Sequence, residues 1–136
     1  MMFMRLDRAR YTDIRLKTRP EKDEKFEVET QFGFHVNYAN DCGHAIAELE
    51  IELRAKDDPD RFAIFLKLQG FFVCEGIVSD EIKKEAHIQA YMQLFPLVQK
   101  KIAELMADAG MPPLAIAMAK LESDKVGIGK KDAGAN

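Results

Sequence analysis

The 136-residue sequence lacks most of the patterns that point to a chemical reaction or to a disulfide scaffold. It has no tryptophan. It has only two cysteines, Cys42 and Cys74, so the disulfide framework of a small secreted domain is excluded. It has no glycine-rich phosphate loop, because Gly127 and Gly129 are not followed by a helical pattern. No stretch approaches the roughly 20 apolar residues that a membrane-spanning helix needs.

Charge of neither sign dominates the sequence. The 20 lysines and arginines face 23 aspartates and glutamates, which gives a formal net charge of -3. This balance argues against a nucleic-acid-binding protein, which usually carries a basic excess. Arg5, Asp7 and Arg8 stand where a secretory signal would need an apolar run. We therefore expect a cytoplasmic protein.

Soft metal ligands are few, and their spacing does not predict a site. The candidates are His35, Cys42, His44, Cys74 and His87. Cys42 and His44 are closer together than zinc-binding pairs usually are, and no second Cys/His pair follows. A Cys–His nucleophile would also need an orienting group and an oxyanion site. We expect no cofactor, no metal and no catalytic residue. A small enzyme or metal protein built on His35, Cys42 and His44 is the less favoured alternative.

What the sequence does contain is regular alternation of apolar and polar residues. The run over residues 26–38 is the clearest, and the run over residues 47–54 follows it after an Asn-Asp-Cys-Gly turn. Period-two alternation indicates strands with one buried and one wet face, so the outward row Glu48, Glu50 and Glu52 is interpreted as solvated. Residues 3–17 also alternate, with a change of phase that predicts a bulge near Ala9 and Arg10.

The next predicted strand, residues 62–73, is partly apolar on both faces. The inward face is Phe62, Ile64, Leu66, Leu68 and Phe72; the other face carries Phe65, Phe71 and Val73 beside Lys67 and Gln69. A second apolar face indicates that another subunit, a helix or a bound partner covers it. Gly70 in mid-strand predicts a bulge or a close backbone approach.

Helical periodicity begins after Ser79, a suitable N-cap. Pro96 predicts a break or a fresh helix start over residues 91–95, and Gly110 predicts the helix end. A brief helix is expected over residues 120–126 and a disordered tail over residues 127–136. The chain is thus predicted to be one α+β domain over residues 1–126. Its four-stranded antiparallel sheet, a meander plus an N-terminal strand, would pack with one long and one or two short helices.

Two segments resemble a known family. Residues 62–77 read FAIFLKLQGFFVCEGI, and residues 91–114 read YMQLFPLVQKKIAELMADAGMPPL. The Gly-Phe-Phe strand end, the Gly-Ile step, Leu-Phe-Pro, the Ala-Gly stop and Met-Pro-Pro-Leu resemble, in this order, the SecB family of protein-export chaperones. Tyr11-Thr12-Asp13-Ile14 resembles the family's first strand. As a pattern the resemblance covers residues 3–125.

The resemblance implies an ATP-independent chaperone (holdase) that binds unfolded or partly folded polypeptides, assembles as a homodimer or homotetramer, and passes clients to the export motor SecA. It also implies motor docking at Asp13, which matches an acidic family position. A holdase needs exposed apolar surface. The client-binding candidates on that ground are Phe65, Phe71, Val73, Leu114, Ile116 and Met118.

The sequence also departs from the family at several places. The connector over residues 18–24 has none of the family's aromatic residues, and the family's Asn-Phe-Asp-Ala-Leu-Tyr is missing after Pro-Pro-Leu. Lys17 and Phe65 stand where the family carries acids. These differences leave open an alternative, which is an interaction protein of the same fold dedicated to one partner, such as an antitoxin or a phage-type component.

Overall fold

The chain folds into one antiparallel sheet covered on one face by a long helix. The structure, a computed structural model, describes residues 2–19, 27–58 and 60–111. The strands are β1 (Met4–Thr18), β2 (Val28–Tyr38), β3 (His44–Ala55) and β4 (Phe62–Cys74), and the helix is α1 (Asp80–Asp108). The strand order is β1-β4-β3-β2. The predicted α+β architecture is confirmed, whereas the expected helix over residues 120–126 and the tail over 127–136 lie outside the described residues.

The core lies between α1 and one face of the sheet. Alternate residues of β3 and β4 are buried along their whole length, and β2 contributes three aromatic rings to the same side. Phe34 packs edge-on against Tyr91 of α1, with ring centroids 5.4 Å apart. The inward residues predicted from alternation are therefore confirmed for β3 and β4.

β1 has two irregularities where the sequence predicts one. Asp7 and Thr12 have no partner in the register with β4, and they flank the predicted position near Ala9 and Arg10. Each extra residue resets the alternation, so that Met4, Leu6, Ala9, Tyr11, Ile14 and Leu16 lie opposite inward residues of β4. The phase change in the sequence is the direct result of these bulges.

The predicted ends of α1 are confirmed. The Ile82 backbone N–H donates to the Ser79 hydroxyl oxygen at 3.2 Å, which satisfies one free donor of the first turn. Asp80 and Glu81 add negative charge where the helix dipole is positive. After the last turn, Gly110 adopts φ +70°, the left-handed conformation that ends many helices.

The helix break predicted over residues 91–95 is wrong, because α1 runs unbroken through Pro96. Leu94 and Phe95 before the proline and Val98 after it are fully buried against the same sheet face. Pro96 itself is exposed, as is Met92 one turn earlier, so water can bond the carbonyl that loses its helical donor. Packing of the buried stripe thus outweighs the local cost of the proline.

Gly70 marks a close approach between the sheet and the helix. β4 keeps a regular register with β3 through this residue, so β4 has no bulge there. A Cβ atom at Gly70 would lie 2.8 Å from Leu94 Cδ2 and 2.9 Å from Phe72 Cε1. Of the two predictions made for this glycine, the close approach is therefore the one confirmed.

Side chains of α1 also close part of the outer edge of β1. Gln89 Oε1 accepts the backbone N–H groups of Phe3 at 2.7 Å and Met4 at 3.1 Å. Further along the helix, the Tyr11 hydroxyl donates to the Leu97 carbonyl at 2.9 Å. Burial raises the pKa of Tyr11 to about 12, with a smaller contribution from Glu104. These bonds fix the helix to the edge strand.

Candidate functional site

The face of the sheet opposite α1, here named the open face, carries the sequence-predicted client residues. It is formed by outward residues of adjacent strands that lie opposite one another in the register. From β1 these are Arg5, Arg8, Arg10, Asp13, Arg15 and Lys17; from β4, Ala63, Phe65, Lys67, Gln69, Phe71 and Val73; from β3, His44, Ile46, Glu48, Glu50, Glu52 and Arg54. Within the described ranges the one helix packs on the other face.

Apolar side chains lie near both ends of β4 on the open face, separated by Lys67 and Gln69. Phe71 lies directly opposite Ile46, which is 41% exposed, and Val73 lies at the end of the same strand. Phe65, Phe71 and Val73 are half-buried rather than part of the core. The structure thus brings these three predicted residues together on one surface. The other three candidates, Leu114, Ile116 and Met118, lie outside the described residues.

Arginines of β1 lie across the aromatic rings of β4. The Arg8 guanidinium carbon is 4.4 Å from the centroid of the Phe71 ring, and that of Arg10 is 5.8 Å from it. Arg15 is placed similarly, 5.2 Å from the Phe65 centroid. These are cation–π distances. Both phenylalanine rings of the open face are consequently bordered by cations of β1.

The alternation pattern alone did not reveal this arginine row. Read with strict period two, Arg5 falls on a different face from Arg8 and Arg10, because Asp7 is counted as an ordinary residue. The structure places all three on one side because Asp7 is extra in the register. The phase change in β1 is the sequence signal for this row. It indicates a bulge, and the alternation of inward and outward residues has to be restarted after each bulge.

The glutamates of β3 form an acidic band on the open face. Each is near a basic side chain: Glu50 Oε2 lies 3.2 Å from Lys67 Nζ, Glu48 lies 3.7 Å from the His35 imidazole, and Glu52 lies 3.8 Å from Arg54. The hydrogen bond from Lys67 to Glu50 raises the pKa of that lysine, as do the nearby carboxylates. The band is therefore internally paired, in keeping with its interpretation as a solvated strand face.

Asp13, the predicted docking residue, is engaged by its neighbour. Arg15 donates through Nη2 to Asp13 Oδ2 at 2.8 Å and through Nε to Asp13 Oδ1 at 3.1 Å. Cross-strand, Asp13 faces Lys67. Lys17, where the family has a second acid, pairs with Asp60 at 2.8 Å. The carboxylate of Asp13 is therefore surrounded by positive charge.

A second apolar surface lies on the outer side of α1. Met2, Gln89, Met92 and Gln93 line a shallow cavity of about 420 Å³. Met2 and Met92 are more than half exposed, and Leu97 is a further exposed apolar residue of α1. Methionine repacks easily against differently shaped partners. This surface is suited to covering by another polypeptide.

The candidate metal ligands are distributed over the molecule. Cys42 lies in the turn before β3, where it adopts φ 55°, and His44 follows on the open face. Cys74 is a buried free thiol 3.2 Å from the Met4 sulfur, and burial raises its pKa to about 11. His87 is buried in the core. In the part of the chain that the structure describes, no three His, Cys, Asp or Glu side chains are grouped to hold a metal ion.

Among the described residues, no helix is both long and apolar enough to cross a membrane.

No protein-family profile matches the chain. Its curated relatives include the protein-export protein SecB of Neorickettsia sennetsu, 28% identical over 108 residues, and SecB of Zymomonas mobilis, 26% identical over 100 residues. These matches cover 75% and 74% of this chain, which spans 64% and 57% of the respective relatives. An uncharacterized protein of Methanocaldococcus jannaschii is 26% identical over 111 residues, which are 79% of this chain and 72% of that protein.

Two solved structures share the fold. One is a SecB-like chaperone of Mycobacterium tuberculosis in complex with a ChAD peptide from the HigA1 antitoxin, with a TM-score of 0.68 at 13% identity, covering 87% of this chain and 88% of that chain. The other is a protein of unknown function from Streptococcus agalactiae, with a TM-score of 0.59 at 12% identity. The match covers 87% of this chain and 99% of that chain. Identities this low establish the fold alone. The sequence matches and the shared fold together support a divergent SecB-like protein.

Proposed function

We propose that this chain is an ATP-independent holdase that binds unfolded or partly folded polypeptides in the cytoplasm. The observation that carries the proposal is the open face, where Phe65, Phe71, Val73 and Ile46 stay partly exposed on the side of the sheet that α1 does not cover. The likeness to SecB proteins in sequence and fold supports it. The proposal assigns binding to these side chains and chemistry to none.

The energetics favour broad recognition of clients. An unfolded chain offers apolar side chains of many shapes, so its affinity must come from buried area, at about 1.5–3 kcal/mol for each large side chain that becomes fully buried. The half-buried Phe65 and Phe71 can supply part of that amount each. Several such sites in one assembly would raise the overall affinity through effective concentration.

Assembly into a homodimer or homotetramer is part of the proposal. Met92 and Leu97 of α1 are exposed apolar side chains, which a second copy would shield from water. Light scattering should give a mass of two or four chains for the wild type. Met92→Glu with Leu97→Glu should lower it, whereas a monomeric wild type would contradict this part of the proposal.

A dedicated interaction protein is the second candidate. Arg8 and Arg10 lie over Phe71 and add a charge requirement to an apolar contact, which favours selection among partners. The Mycobacterium structure of the same fold holds a peptide from an antitoxin. A single partner recovered from cell extract, without arrest of unrelated clients, would support this candidate over a general holdase.

Delivery to a SecA-type motor through Asp13 is the least supported role. The bidentate pair with Arg15 and the facing Lys67 leave little negative potential for a basic partner. Binding of purified SecA that is lost on Asp13→Asn but kept on Asp80→Asn, at the exposed start of α1, would establish it.

A refolding-arrest assay tests the main proposal. A slow-folding, unrelated client is diluted from denaturant into increasing amounts of this protein. Arrest near one assembly per client should be weakened by Phe65→Asp or Phe71→Asp and kept by Val78→Asp, which changes a more exposed apolar residue away from the open face. A well-folded wild type that arrests nothing would overturn general holdase activity.

A further inference from the structure

Three arginines form a row at one end of the open face. Arg5 lies opposite Val73, Arg8 opposite Phe71 and Arg10 opposite Gln69. All three are exposed. Their side chains emerge from one strand, and Phe71 with its cross-strand neighbour Ile46 continues the surface inward.

The cations at the other end of β1 are paired, whereas these three are not. Arg15, Lys17 and Arg19 contact Asp13, Asp60 and Asp58 at 2.8–3.0 Å. Arg5, Arg8 and Arg10 form no ion pair with any carboxylate of the described residues, including the exposed Asp7 of the bulge. Arg10 Nε donates to the Gln69 amide oxygen at 3.1 Å, which is a neutral partner. The row therefore presents uncompensated positive charge.

We propose that Arg5, Arg8 and Arg10, with Phe71 and Ile46, dock an extended polypeptide segment in which acidic and apolar side chains alternate. This inference rests on the proposed function and adds the chemical class of segment that the open face selects. A guanidinium stacked on a ring keeps its edge N–H groups directed outward, where they can bind a carboxylate in a bidentate geometry. The ring and Ile46 would receive the apolar side chains.

The spacing of the row fits an extended chain. Arg8 and Arg10 are two residues apart on one strand, a distance of about 6.6 Å from the strand rise. Carboxylates at alternate positions of an extended peptide recur at the same interval. A segment lying parallel to β1, with its carboxylates directed toward the row and its apolar side chains toward Phe71 and Ile46 on the other side, can therefore meet both guanidiniums without bending.

The other anionic occupants fit less well. In a second copy of this chain, the carboxylates of β1 and β3 on the same face are Asp13, Glu48, Glu50 and Glu52, each of which already lies near a basic side chain of its own chain. For a nucleic acid, the acidic band two strands away from the row would repel the second line of phosphates. A single acidic polypeptide segment avoids both conflicts.

The experiment uses the full chain and three labelled twelve-residue peptides, alternating Leu with Asp, Gln or Lys. Fluorescence anisotropy should show at least tenfold tighter binding of the Asp peptide than of the Lys peptide, weakened as salt rises from 50 to 500 mM. Arg8→Gln with Arg10→Gln should lower affinity for the Asp peptide about tenfold. The charge-matched control, Lys84→Gln with Lys100→Gln on α1, should not.

The other outcomes separate the inference from the proposed function. Equal binding of the three peptides, with refolding arrest intact, would overturn the acidic preference and leave the holdase. Failure of both peptide binding and arrest would count against the holdase itself. A single-stranded oligonucleotide that displaces the Asp peptide at equal concentration would overturn polypeptide selectivity. An assembly mass that falls in the Arg8→Gln, Arg10→Gln variant would make a second copy the occupant and overturn the inference.

Discussion

The side-chain amide of Gln93 bonds to Leu6 as a neighbouring strand would. Its Oε1 accepts the Leu6 backbone N–H at 2.9 Å, and its Nε2 donates to the Met4 carbonyl at 2.8 Å. A second acceptor for Nε2 is the Gln89 carbonyl at 3.2 Å. Together with the bonds from Phe3 and Met4 to Gln89, this closes the first part of the β1 edge to other strands.

Gln93→Ala should lower the free energy of unfolding by about 1–3 kcal/mol, because part-buried backbone groups of Met4 and Leu6 lose their partner. Urea unfolding monitored by circular dichroism measures the change. Lys100→Ala, at an exposed position of the same helix, is the control and should shift stability by less than about 0.5 kcal/mol. Equal effects of the two substitutions would show that the Gln93 amide contributes no net stability.

Gly70→Ala should destabilise the fold by about 1–3 kcal/mol through overpacking. The new methyl group would lie 2.8 Å from Leu94 Cδ2 and within 3 Å of Phe72. Gly33→Ala is the matched control, since the nearest atom to its new methyl group is Glu50 Oε1 at 3.5 Å, an ordinary contact distance. Thermal unfolding of both variants measures this difference in stability. A Gly70→Ala protein as stable as the Gly33→Ala protein would refute the close approach.

Pro96→Ala should stabilise the protein by about 1–2 kcal/mol. The proline sits inside α1 at an exposed position, where it removes a helical hydrogen bond and a better helix former would restore it. In denaturant unfolding, the midpoint should rise while the m-value stays unchanged. A loss of stability would mean that Pro96 is needed to keep Leu94 and Val98 on the same sheet face.

His87 should make stability depend on pH. Burial, with a smaller effect of His35, lowers the pKa of His87 from 6.5 to about 4, and its ring packs 4.8 Å from that of Phe34. Between these pH values the unfolded state binds more protons than the folded state, so stability falls as pH drops. The loss attributable to this group approaches about 3 kcal/mol near pH 4.

Comparison of the wild type with His87→Leu isolates this contribution, because carboxylates titrate in the same range in both proteins. Relative to the wild type, His87→Leu should be more stable at pH 4 than at pH 7. Its advantage in unfolding free energy should therefore narrow as pH rises from 4 to 7, or reverse in favour of the wild type. A difference that is constant across this range would contradict the assignment.

The elements that the sequence predicts well are those in which local pattern and tertiary packing agree. Strict alternation in β3 and β4 fixed which residues face the helix, and Ser79 and Gly110 marked the helix ends through backbone chemistry that acts over a few residues. The outward position of Phe65, Phe71 and Val73 follows from the same alternation, and their role in client binding stays a prediction. Each of these inferences needed only neighbouring residues.

Features that depend on distant contacts could not be predicted in this way. Pro96 predicts a break from its own chemistry, but Leu94, Phe95 and Val98 hold the helix continuous through contacts with the sheet. The edge-closing role of Gln93 depends on residues about 90 positions earlier in the chain. The two bulges of β1 fix the arginine row, and only the pairing with β4 locates them.

Those bulges also bear on how β1 can change in length. Asp7 and Thr12 are surplus to the register, so removing either one would leave every other residue of β1 opposite its present partner on β4. Removing an inward residue such as Ala9 would instead place Arg8 opposite Gly70, on the side of the sheet that faces the helix. Relatives with a shorter first strand should therefore have their alignment gaps at these two positions, and a straighter row of cations beside Phe71.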